Sequence, residues 1–266
     1  MIAEIFQYSF LLRSLLVGVV VATIAPMIGS YLVVRRYSLF ADALAHISLT
    51  GIAIAIILGQ SPLLISVVFT VLMALLIEYL RLGKRMAGDA VIAIFLSGSL
   101  ALAVLLISIH TSASNVNLMG FLFGSISAVT SFDLKTMIVL ALVVAAIAIM
   151  LRKELFITAF DPEYAQVSGI PVRFINVVYI ILAAVTVSLS IRIVGVLLIG
   201  ALMIVPVLSA ARHTASFKQL TLHSSAIAIM CVILGVGLSY LYAVPAGATI
   251  VLLLIIMFIL SLLTAR

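Results

Sequence analysis

Nine apolar runs, each long enough to cross a bilayer as a helix, constrain this chain more than any other feature. They fall near residues 11–34, 38–59, 62–80, 90–110, 133–151, 174–191, 193–211, 220–242 and 246–264. Crossing the hydrocarbon takes about 20 mostly apolar residues, and a helix pairs all of its own backbone polar groups there. Composition agrees, since 66% of the 266 residues are hydrophobic and only 8% are charged, against about a quarter charged in a soluble domain. The expectation is an all-α polytopic membrane protein with about nine transmembrane helices (eight as the lower count), forming one domain over 1–266. The N-terminal MIAEIFQYSF carries Glu4 and no early positive charge, so it does not read as a secretory signal. A lone Cys231 permits no intrachain disulfide.

The net charge of +6 sits in short connecting segments, which reads as topogenic charge rather than a nucleic-acid surface. Nine crossings place Arg35, Arg36, Arg81, Lys84, Arg85, Arg152, Lys153, Arg173, Arg212, Lys218 and Arg266 on one side. That is eleven of the 14 basic residues. Arg13, Lys135 and Arg192 fall on the other. The positive-inside rule then puts the N-terminus outside and the C-terminus in the cytoplasm. Pro26 and Pro206 lie within apolar runs, where each frees a carbonyl and can kink a helix.

Within SLFADALAHIS (38–48), Asp42 and His46 stand one helical turn apart and share a face. At about 1.5 Å per residue they lie roughly 9 and 15 Å beyond Arg36, inside a core of about 30 Å. Ionisable groups at that depth face a cavity or a partner. Two readings are open: oxygen and nitrogen donors for a divalent transition metal, or an internal ion pair that joins helices. The small residues around them, ALAHISLTGIAIA, allow close backbone approach and predict an inner helix.

Residues 154–173, ELFITAFDPEYAQVSGIPVR, break the apolar pattern. Asp161, Pro162 and Glu163 predict a helix start: an acidic cap, proline in the first turn, and acid near the positive dipole end. Gly169 and Pro171 end it after about two turns. Such a helix between spans is either a docking handle or a linker lying on the membrane surface. Residues 111–132, rich in Ser, Asn and Gly, predict a loop or a re-entrant segment lodged against protein.

No G-x-x-x-x-G-K-[ST] phosphate loop, H-E-x-x-H or G-x-S-x-G occurs in the chain. Any ATP hydrolysis must come from another subunit, and the chain itself is not expected to be an enzyme. His110, His213 and His223 have no carboxylate or second histidine at helical spacing, and read as interfacial, with His110 a candidate outer contact. Glu78 is placed to interact with Arg81, and Asp89 to start a helix.

Taken together, these stretches resemble the membrane permease of bacterial ABC importers for zinc and manganese, over nearly the whole length. The resemblance is carried by VVRRYSLFADALAHISLTGIAI at 33–54, GFLFGSISAV at 120–129, FDPEYAQVSGIPV at 160–172 and RIVGVLLIGALMIVPVLSA at 192–210. It implies a type II importer-like permease of the bacterial inner membrane. Such a permease pairs as a homodimer, with two cytoplasmic ATPase subunits below and an extracytoplasmic metal-binding protein above.

It further implies that Asp42 and His46 contact the transported ion and that no cofactor is permanently bound. Asp161, Pro162, Glu163, Tyr164, Ala165 and Gly169 would belong to the helix that couples to the ATPase. Relatives often carry Asp where this chain has Ser125. Manganese-type relatives tend to read R-G-M-S-L-x-G-D-A-x-S-H-x-x-L-P-G, and Arg36, Ala41 and Thr50 replace Gly, Gly and Pro. That departure favours zinc, with manganese or iron(II) as the alternative cargo. A proton-coupled secondary transporter using Asp42 and His46 as a relay is the rival mechanism.

Overall fold

The computed structural model describes residues 9–83, 86–109, 118–124 and 130–264. Glu4, Lys84, Arg85, His110, Ser125 and Arg266 lie outside the described residues. Every regular element among those described is helical: α1 (Ser9–Val34), α2 (Ser38–Ile57), α3 (Pro62–Gly83), α4 (Gly88–Ile109), α5 (Leu118–Phe123), α6 (Ser131–Met150), α7 (Arg152–Phe160), α8 (Pro162–Val167), α9 (Val172–Val194), α10 (Ile199–Ala211), α11 (Phe217–Tyr242) and α12 (Ala246–Thr264). Eight of these are long and apolar enough to cross a membrane, namely α1 to α4, α6, α9, α11 and α12.

The ninth expected span is different. α9 runs on to Val194, Gly195 breaks the chain, a 3-10 turn covers Val196–Leu198, and α10 supplies only 13 residues. Gly195 has φ +86 and ψ 161, a region that residues with a Cβ do not occupy without strain. A Cβ there would also lie 2.5 Å from the Gly124 nitrogen. The 3-10 turn and α10 still reach about 25 Å at roughly 2.0 and 1.5 Å per residue.

Contacts show that this segment runs from one end of the bundle to the other. At one end, Arg35 donates to Asn176 and lies over the Tyr179 ring, while Arg81 lies 4.8 Å from the Tyr37 ring centroid. Thr264 meets His213 at 3.3 Å at that same Arg-rich end, where α10 and α12 finish. At the opposite end, α5 packs against the 195–198 turn and the start of α12. The described part of 111–132 is therefore lodged against protein, as one of the two expectations had it.

Depth within the bundle follows side-chain size. α2 and α9 are the innermost spans, each 72% buried across its most apolar window, whereas α4 is only 22% buried and turns Ile94, Leu102 and Leu105 outward. Ala41, Ala43, Ala45, Ser48 and Thr50 are wholly buried on α2, as its small residues predict. Polar groups join the inner helices: Ser48 Oγ donates to Ser188 Oγ at 3.2 Å, and Thr50 Oγ1 to the Ser99 carbonyl at 2.7 Å. Glu78 and Arg81 form a two-point ion pair at 2.8 and 2.9 Å, and Asp89 lies in the first turn of α4. Pro26 and Pro206 lie inside α1 and α10.

Candidate functional site

α2 is entered through a sharp reversal at Arg36, whose φ of +57 is left-handed. The turn is closed by the Tyr37 N–H donating to the Leu32 carbonyl at 2.9 Å. From Phe40 to Ala53 every residue of α2 is buried except two, Asp42 and His46, both only partly exposed. Leu39, 57% exposed, continues the same face. Asp42 and His46 lie about 6 and 12 Å along the helix from Ser38, by the 1.5 Å rise.

Neither group is tied up. Glu78 pairs with Arg81 elsewhere, and among the described residues no ion pair joins Asp42 to His46. The His46 Nδ1 is buried with no hydrogen-bond partner, a condition that costs about 1–3 kcal/mol unless something else binds there. The reading of an internal ionic brace finds no support in this geometry.

The opposite wall is the first turn of α10. A Cβ on Gly200 would overlap the Asp42 Oδ1 and stand 2.9 Å from its Cγ. The carboxylate therefore rests directly on backbone, beside a helix N-terminus whose partial positive charge favours an anion. This partner was not legible in the sequence, where 193–211 reads as one unbroken apolar run. The only available signal was the pair of glycines, 195 and 200. No group of three or more His, Cys, Asp or Glu converges among the described residues. One copy of the chain thus offers two donors, short of the four that zinc usually takes.

At the Arg-rich end, α7 and α8 lie outside the spans. Asp161 caps α8, its Oδ1 accepting from the Tyr164 N–H at 2.9 Å, with Pro162 at the first position. Ala165 is fully buried, anchoring the helix, and Gly169 at φ +80 ends it. Phe160, Tyr164 and Val167 stand out at 75%, 61% and 89% exposure, with Glu163 exposed beside them. α7 was not anticipated as a separate helix. His213 contacts Thr264, and His223 Nδ1 lies 2.9 Å from the Gln219 carbonyl; both are exposed and remote from Asp42.

Residues 7–265 match the ABC 3 transport family. The chain is 32% identical over 262 residues to the manganese transport system membrane protein MntC of Listeria monocytogenes, covering 98% of this chain and 92% of that one. It is 30% identical over 256 residues to the high-affinity zinc uptake system membrane protein ZnuB of Haemophilus influenzae, covering 96% and 98%. Among solved structures, PsaBC from Streptococcus pneumoniae in complex with Fab superposes with a TM-score of 0.90 at 31% identity, covering 100% of this chain and 97% of that one.

Proposed function

The chain belongs to the ABC 3 transport family, and from that premise we propose that it is the membrane permease of an ATP-driven importer for a divalent transition-metal ion. The observation that carries the proposal is the isolation of Asp42 and His46. They are the partly open, unpaired ionisable groups on the most deeply buried part of α2. In that setting a carboxylate and an imidazole give an ion crossing the bilayer a place to exchange water for protein donors.

Two copies related by a two-fold axis would double the pair to four donors. The Leu39–Asp42–His46 face is what each would turn to the other. Zinc is the favoured cargo because Arg36, Ala41 and Thr50 depart from the manganese-type pattern; relatives named for either metal match at near-equal identity.

The Arg-rich end faces the cytoplasm in this reading, which puts the N-terminus outside. α8 then seats in a separate ATPase subunit through Tyr164 and Val167. These side chains are exposed beyond the membrane spans, where apolar surface otherwise has no reason to stay uncovered. An extracytoplasmic binding protein delivers the ion near α5 and the 195–198 turn. Movement of α8 on ATP binding and hydrolysis would switch access at the two ends.

The test is metal accumulation by cells expressing the complete transporter, assayed separately for zinc and manganese. Asp42→Ala and His46→Ala are expected to lower uptake of the cargo metal at least about ten-fold with normal membrane levels of the chain, since each removes one of the two metal donors. Wild-type uptake in both variants would overturn the proposal. Accumulation of manganese but not zinc would overturn only the choice of metal.

A further inference from the structure

Beside α8, at the Arg-rich end, lies a cavity of about 240 Å³ lined by Val34, Arg35, Arg36, Tyr37, Arg81, Ala159 and Pro162. Three arginines contribute to the wall of one small space. Glu78 is engaged by Arg81, and Asp89 is exposed on α4. Asp161 and Glu163, which flank Pro162, make no ion pair with any of the three arginines.

Arg35 has only neutral direct partners, the Asn176 side chain and the Tyr179 ring. Burial pulls its guanidinium below the ordinary arginine range. Buried polar atoms without partners also gather here. Among the described residues, Tyr37 of this cavity and Thr158 and Tyr179 of the adjoining cleft that shares Arg35 each carry one such atom, sealed within the protein. Glu78 offsets one of the three arginine charges, so the cavity keeps a net positive charge, which points to a polar, anionic occupant.

We propose that this cavity binds the phosphate of an anionic phospholipid headgroup from the inner leaflet. The position fits. Arg35 and Arg36 directly follow the last residue of α1, Arg81 sits in the last turn of α3, and exposed Leu82 stands beside it for an acyl chain. Basic pockets between helices at the cytoplasmic boundary are where such headgroups lodge. A bound phosphate would bridge the α1–α2 turn, six residues before Asp42, to the start of α8. The proposal rests on the orientation given above but goes beyond the transport reading and does not depend on which ion is carried.

Arg36→Asn is the informative variant, because asparagine tolerates the left-handed backbone at this position while losing the charge. Full-length chain is incorporated into phosphatidylcholine vesicles with and without phosphatidylglycerol, and the lipid retained on extraction is measured by mass spectrometry. Wild type should enrich phosphatidylglycerol, Arg36→Asn should lower that enrichment about five-fold, and Arg36→Lys should keep most of it. Equal enrichment in wild type and Arg36→Asn would overturn the proposal. So would displacement of the lipid by inorganic phosphate, which would make a soluble anion the ligand. Unchanged lipid retention with impaired ATPase association in Arg36→Asn would assign the arginines to the partner subunit instead.

Discussion

At Gly200 one hydrogen stands where any other residue would push a carbon into the Asp42 carboxylate. Gly200→Ala must therefore move either α10 or the proposed ion contact. A displacement of about 1 Å at a working group can cost on the order of a hundred-fold. Uptake per unit of membrane-inserted chain is expected to fall at least ten-fold on that scale. Gly98→Ala is the matched control: nothing lies within 4 Å of its would-be Cβ, and alanine favours helix by about 1 kcal/mol, so transport should be unchanged. Uptake by Gly200→Ala equal to that of Gly98→Ala would remove α10 from the site. Asp42 and His46 were legible from sequence because charge at i and i+4 stands out in an apolar run. Gly200 was not, since a small residue in such a run carries no mark of which group it meets.

For the elements, α8 offers the sharpest case. Its six residues are too few to persist alone, so Asp161 and the buried Ala165 hold it. Asp161→Ala should remove about 1 kcal/mol of capping and weaken stimulation of the ATPase by the permease, while Asp161→Ser restores it. Val167→Glu should abolish that stimulation without lowering the thermal midpoint of the isolated chain, because Val167 is 89% exposed. ATPase rates with purified subunits check both, and full stimulation with Val167→Glu would mean that α8 is not the docking element.

α8 was readable because proline, acid and glycine punctuate it. α7 was hidden: α6 hands over to it at Leu151 without glycine or proline. The α10 break was hidden for the opposite reason, as hydropathy registers apolar character and not the φ that Gly195 alone supplies.

Among the described residues, eight long helices and one broken segment traverse the bundle an odd number of times, so the start of α1 and the end of α12 lie at opposite ends of it. Cys231 is buried, which leaves a quiet background for labelling. Val167→Cys should react with an impermeant maleimide only in inside-out vesicles, and Val244→Cys, between α11 and α12, only in intact cells; the reverse pattern would invert the orientation. Burial also divides the helices, with α2 and α9 inside and α4 turned outward, and in the proposed dimer a second copy would cover the partly exposed Asp42–His46 face. The most direct measurement is anomalous diffraction at the zinc edge from the zinc-loaded transporter. A peak is expected between two copies of α2, with Asp42 oxygen and His46 nitrogen at about 2.0–2.2 Å. A peak remote from α2, or none while both side chains close onto other protein groups, would contradict it.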